Sequence, residues 1–140
     1  MSWQLSLWLP NDEATQACGR ALAQWLPANA LVYLRGGLGA GKTTLSRGIL
    51  RALGHLGPVK SPTYTLLEPY ETGLAVPVYH FDLYRIADGG ELEFIGIDEI
   101  MDSPGLKLVE WPERGGDRLP APDWTVELLV EGSGRRVHIG

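Results

Sequence analysis

Gly36, Gly41, Lys42 and Thr43 fill the pattern G-x-x-x-x-G-K-[ST] inside the stretch RGGLGAGKTTL, residues 35–45. Each residue type in that pattern has a task in holding a chain of phosphates. Glycines let successive backbone N–H groups turn inward around phosphate oxygens, and the N-terminus of a following helix adds partial positive charge where the anion lies. Lys42 is then the group that neutralises the β- and γ-phosphates, and the Thr43 hydroxyl is placed to bind Mg2+. At average residue frequencies such a match arises by chance in about one chain in a few hundred of this length. A glycine-rich turn with a surface lysine is therefore the poorer explanation.

Mg2+ takes oxygen ligands and commonly one or two carboxylates besides the phosphates, so an acid is needed at the end of a neighbouring strand. LKLVEW offers Glu110 after an apolar run, with Glu in the place of the more usual Asp and Lys107 interrupting the run. HFDLYR offers Asp82, to orient an attacking water or hold the metal's outer shell, with Arg85 to pair with it or with phosphate. Taken alone, each has an ordinary alternative: a strand-end acid for Glu110, a turn cap for Asp82 and a solvated charge for Arg85. His80 reads as a packed or hydrogen-bonded histidine rather than a ligand. KSPTYTL carries three hydroxyls, Ser61, Thr63 and Thr65, at the distance where such proteins keep a segment that senses the γ-phosphate. Spacing does not choose among the three, and a polar turn leading into a strand explains them as well.

The elements that must position these groups follow from pattern. Residues 3–9 alternate as a strand closed by Pro10, and Asn11 or Asp12 caps a helix whose apolar positions Ala14, Ala17, Cys18, Ala21, Leu22, Trp25 and Leu26 recur at three and four. Residues 30–34 are apolar without alternation, as in a central strand covered on both faces. The glycine loop follows, then a helix over about residues 43–53 stopped by Gly54. Residues 65–70 and 75–80 flank Thr72-Gly73 as a hairpin, residues 87–101 form short helices, LKLVEW is a strand, and residues 124–131 and 135–139 close the chain as a hairpin. A strand, glycine loop and helix followed by further strands predict an α/β fold, a three-layer P-loop NTPase-like domain with a mixed central sheet flanked by helices.

Composition narrows the role. The 140 residues suit one domain, residues 1–140, and no apolar run approaches the roughly 20 residues that span a bilayer. Residues 1–13 lack the basic and apolar regions of a secretion signal, so cytoplasmic residence is expected. Cys18, the only cysteine, excludes an internal disulfide and reads as a buried apolar residue. A net charge of −5 argues against gripping nucleic acid alone, since phosphate contacts need clustered Lys and Arg.

In order and spacing, GGLGAGKTT, SPTYTL, HFDLYR, ELEFIGIDE and VEWPE resemble the bacterial TsaE (YjeE) family, the ATPase of tRNA threonylcarbamoyladenosine synthesis. The resemblance spans nearly the whole chain and implies ATP and Mg2+ as ligands and TsaB- and TsaD-type proteins as partners. Those partners install the modification beside the anticodon of tRNAs reading codons that begin with A, and hydrolysis by the ATPase supports turnover. By motif matching, Thr43 and Glu110 become the Mg2+ residues, Leu38, Gly39, Ala40, Gly41, Lys42, Thr43 and Thr44 the phosphate loop, Asp82 the catalytic acid beside Lys42, and SPTYTL a switch-like segment. Trp111 then lies near the nucleotide, and Asn11 and Arg135 near its base. A small-molecule kinase is the first rival, but no Arg-rich lid segment is present. A GTP-driven switch is the second: Asp102 to Gly105 fit D-x-x-G, yet no N-K-x-D sequence exists to read guanine.

Overall fold

A computed structural model describes residues 3–73 and 77–140. Seven strands, β1 (Leu5–Leu9), β2 (Leu31–Arg35), β3 (Leu67–Tyr70), β4 (Val78–Asp82), β5 (Leu106–Glu110), β6 (Trp124–Glu131) and β7 (Gly134–Ile139), form one sheet. Their order is β1-β7-β6-β2-β5-β4-β3. β4, β5, β2 and β6 run parallel to one another, while β3, β7 and β1 join antiparallel. The sheet is mixed, as expected, and β2 with its glycine loop occupies its middle.

Side-chain alternation along the central strands divides the core into two layers. Val32 and Leu34 of β2, Leu106 and Leu108 of β5, and Val126 and Leu128 of β6 face helices α1 (Asp12–Trp25) and α2 (Lys42–Ala52). Leu31, Tyr33, Phe81 and Val109 face the other way, onto the 3-10 helices Gly89–Ile95 and Pro112–Arg118 and the short helix α3 (Ile97–Asp102). Burying each Leu, Ile or Phe contributes about 1.5–3 kcal/mol, so both layers hold the sheet. Where α1 crosses α2, glycine meets glycine. A Cβ on Gly19 would lie 2.3 Å from the Leu45 carbonyl oxygen, and one on Gly48 would lie 2.2 Å from that of Gln16. The two backbones touch, and α2, which follows the glycine loop, is seated directly on α1.

Several expected boundaries move. β3 begins at Leu67 rather than Thr65, because Leu66 has a left-handed backbone (φ 67°) and its N–H donates back to the Pro62 carbonyl in a turn. Pro69 is tolerated because β3 is an edge strand. β4 starts at Val78 and includes Asp82 as its last residue, held in register with Glu110 of β5; the expected start at Ala75 lies outside the described residues. Alternation in residues 3–9 does not produce alternating burial, for β1 is the opposite edge and only Leu9 is buried. Leu5 and Leu7 line an apolar groove with Cys18, Ala21 and Trp25. Cys18 is accordingly half-buried rather than buried, and desolvation still pushes its thiol above the ordinary value.

Candidate functional site

α1 and α2 begin differently. The Asn11 side chain accepts a hydrogen bond from the Ala14 N–H and caps α1. α2 starts from Gly41 in the left-handed region (φ 105°), a conformation that favours glycine, and no side chain caps it. The first amides of α2 have no intrahelical acceptors. They open onto a cavity of about 350 Å3 at the carboxyl ends of β2, β4 and β5, lined by Leu38 to Thr44, Ser61, Thr63, Asp82, Tyr84, Glu110, Trp111 and Arg135. An uncapped helix start with a lysine at its first position has the polarity that favours an anion.

Lys42 is buried, and its ammonium donates to the Gly36 carbonyl at 2.5 Å and lies 4.0 Å from the centre of the Trp111 ring. Burial pulls it below the ordinary lysine value, while the carboxylates of Glu110, Asp82 and Glu113 push the other way. It makes no ion pair with Glu110 or Asp82, so the charge is held within the cavity without being neutralised there. Trp111 has a left-handed backbone (φ 56°), unusual for a bulky residue and of order 1–3 kcal/mol in strain. That turn sends the indole across the end of β5 against Tyr84, the rings tilted by 46° with centres 4.9 Å apart.

The two acids sit side by side. Glu110 Oε2 accepts from the Thr43 hydroxyl at 3.4 Å and from His80 Nε2 at 2.6 Å. Asp82 Oδ2 accepts from Thr63 at 2.9 Å and Ser61 at 3.5 Å, and Oδ1 from the Tyr84 N–H at 3.0 Å. Of the three hydroxyls that spacing left open, Ser61 and Thr63 therefore face the cavity, whereas Thr65 turns outward to Glu68. Arg85 pairs with neither Asp82 nor the cavity: its guanidinium lies over the Tyr64 ring at 4.2 Å and donates to that hydroxyl.

At the rim, Arg135 donates from Nε to the Ala40 carbonyl and from Nη2 to the Gly39 carbonyl, both at 3.0 Å. It ties β7 to the glycine loop. Asn11 is not on the wall, because its side chain is turned into the α1 cap; its neighbour Asp12 is on the wall and was not anticipated. Tyr84 is a wall residue that the sequence pattern does not single out, whereas His80 is packed and hydrogen-bonded, as its reading from sequence expects, its partner being Glu110. Period-two alternation is the signal that could have placed His80 next to the site, since residues 80 and 82 share a strand face.

The family model described as "Threonylcarbamoyl adenosine biosynthesis protein TsaE" matches residues 9–137. The chain belongs to the TsaE family. Among TsaE relatives, the tRNA threonylcarbamoyladenosine biosynthesis protein TsaE of Haemophilus influenzae is 41% identical over 140 residues, covering 96% of this chain and 88% of that protein. The TsaE protein of Bacillus subtilis is 38% identical over 126 residues, covering 90% and 78%. The crystal structure of Bacillus subtilis YdiB superimposes with a TM-score of 0.82 at 28% identity, over 99% of this chain and 86% of that one. The P-loop NTPase-like fold expected of a TsaE protein is thus the fold found, and the family's part in threonylcarbamoyladenosine biosynthesis sets the frame for the site. No helix among the described residues is long and apolar enough to cross a membrane.

Proposed function

We propose that this TsaE-family chain is a Mg2+-dependent ATPase that supports TsaB- and TsaD-type proteins in forming threonylcarbamoyladenosine on tRNA. One observation carries the reading: the uncapped start of α2 opens onto a cavity whose wall brings Lys42, Thr43, Asp82 and Glu110 together.

The donor set suits Mg2+. Thr43 and Glu110 supply a hydroxyl and a carboxylate, both hard oxygen donors, 3.4 Å apart. Two such donors leave Mg2+ to take its remaining ligands from phosphates and water. Held by Thr43 and Glu110, a bound Mg2+ would supply neutralisation of phosphate charge.

The protein's own groups do the remaining work. The amides at the start of α2 and the glycine loop hold the phosphates, and Lys42 leaves the Gly36 carbonyl to neutralise them. A carboxylate has about four acceptor sites; Asp82 gives one to the Tyr84 amide and one to Thr63, whose hydroxyl lies 2.7 Å from that of Ser61. A remaining site orients the attacking water, while the Ser61–Thr63–Asp82 chain of hydroxyls keeps the sensing segment against the cavity. Trp111 and Tyr84 close one side against solvent, and Arg135 holds the loop's curvature.

No arginine stands over the cavity other than Arg135, which is bonded to the loop carbonyls. Arginine fingers supplied by a partner raise hydrolysis by about 10³–10⁵ in related chemistry. The chain alone should therefore turn over ATP slowly, and a phosphate-release assay with purified TsaB and TsaD should show faster turnover. Equal rates with and without both partners would refute the assembly role, and phosphate transfer to an added small acceptor would indicate a kinase instead.

A further inference from the structure

We propose that His80 is a positioning residue for Glu110, fixing the carboxylate so that one oxygen is reserved for the metal ion. The inference rests on the reading of Glu110 as a Mg2+ ligand and adds to it a part for a group outside the cavity wall.

His80 is fully buried on β4, and Glu110, at the end of neighbouring β5, is 3% exposed. The strand register sets His80 opposite Leu108, so Glu110 lies two residues further along on the same face. Their contact, at 2.6 Å, is the shorter of the two hydrogen bonds on Oε2, the other coming from Thr43. Oε1 takes part in neither.

The second ring nitrogen decides the direction of the bond. His80 Nδ1 is the one buried side-chain nitrogen or oxygen among the described residues that has no partner. A proton on Nδ1 alone would bury an unpaired donor and turn the bare Nε2 lone pair toward a carboxylate oxygen. Nε2–H is therefore the donor and Oε2 the acceptor. A glutamate has one more rotatable bond than the aspartate commonly found at this strand end, so an acid of this length needs a tether to hold a ligand geometry. His80 supplies it from below, and metal-ligating carboxylates held in this way lose about 10- to 100-fold in metal affinity when the holding group is removed.

The test compares H80F, H80N, H80Q and E110Q in the full chain. Mn2+ affinity is read by electron paramagnetic resonance in the presence of ADP, and ADP affinity is read separately by calorimetry in EDTA. A glutamine amide can reach the position of the histidine Nε2, whereas an asparagine amide falls near that of Nδ1. H80F and H80N should weaken Mn2+ binding about 10- to 100-fold with metal-free ADP affinity unchanged, and H80Q should restore most of it. If H80F does not fold, the H80N and H80Q pair decides. Mn2+ affinity within twofold of the parent in H80N would overturn the proposal, as would an equal loss of metal-free ADP affinity, which marks a merely structural role. E110Q separates the two levels: if it binds Mn2+ like the parent, the assignment of Glu110 as a metal ligand fails. If E110Q weakens binding and H80N does not, the role of His80 alone fails.

Discussion

Lys42 occupies a position that costs free energy, because burial disfavours its charge. Its ammonium is buried, faces a carbonyl and an aromatic ring, and has no carboxylate within ion-pair distance. Replacing it by alanine removes a charge-assisted contact to phosphate of about 1.5–3 kcal/mol, so K42A should bind ATP about ten- to a hundredfold more weakly by titration calorimetry. Lys107 is the second buried lysine, on the opposite face of β5, donating to the Ser103 carbonyl. Burial pulls its ammonium below the ordinary value of 10.5, with Asp102 and Asp123 opposing. The unfolded chain thus binds more protons than the folded one between the lowered value and 10.5, and stability rises with pH across that window. In urea unfolding followed from neutral to alkaline pH, wild type should gain on K107M through the window and level off above it. A difference that does not vary with pH would contradict the assignment.

At the scale of elements, the contact of α1 with α2 governs where the phosphate loop sits. G48A would drive a methyl group to 2.2 Å from the Gln16 carbonyl oxygen, a backbone atom with no rotamer to yield. The expected cost is about 1–3 kcal/mol, read as a lower urea midpoint, together with weaker nucleotide binding because α2 carries Lys42 and Thr43. Unchanged stability would mean that the two helices separate freely. The same scale explains what could be read before any coordinates. β2, the glycine loop and α2 were legible because the loop's signal is local: a strand, a glycine run and a helix in immediate succession. Glu110 and Asp82 were legible because acids at strand ends next to such a loop have few other places to go. The facing of Ser61, Thr63 and Thr65 was not, because the left-handed turn at Leu66 is tied to Asp82 by a bond from the Asp82 amide to the Leu66 carbonyl. Nor was the exposure of β1, since an alternating pattern does not say whether a strand will have one neighbour or two. The apolar surface available to Leu5 and Leu7 comes from α1 and from Ile139 at the end of β7.

For the whole molecule, charge and topology set the terms of its work. A net charge of −5 disfavours holding a polyanion, so the chain alone is expected not to retard tRNA in a gel-shift experiment at physiological salt. Retardation by the isolated chain would show a basic patch at work despite the overall charge. Topology has a different consequence. β2, which delivers the glycine loop, is flanked by β5 on one side and β6 on the other, and both come more than sixty residues later in the chain. A ribosome making this protein at about 5–20 residues per second therefore exposes the whole GGLGAGKTT segment several seconds before any strand exists to pair with the one in front of it. Until β5 and β6 are made, nothing in the sheet can pair with β2, so the pocket that the proposed function assigns to a nucleotide is completed only near the end of synthesis.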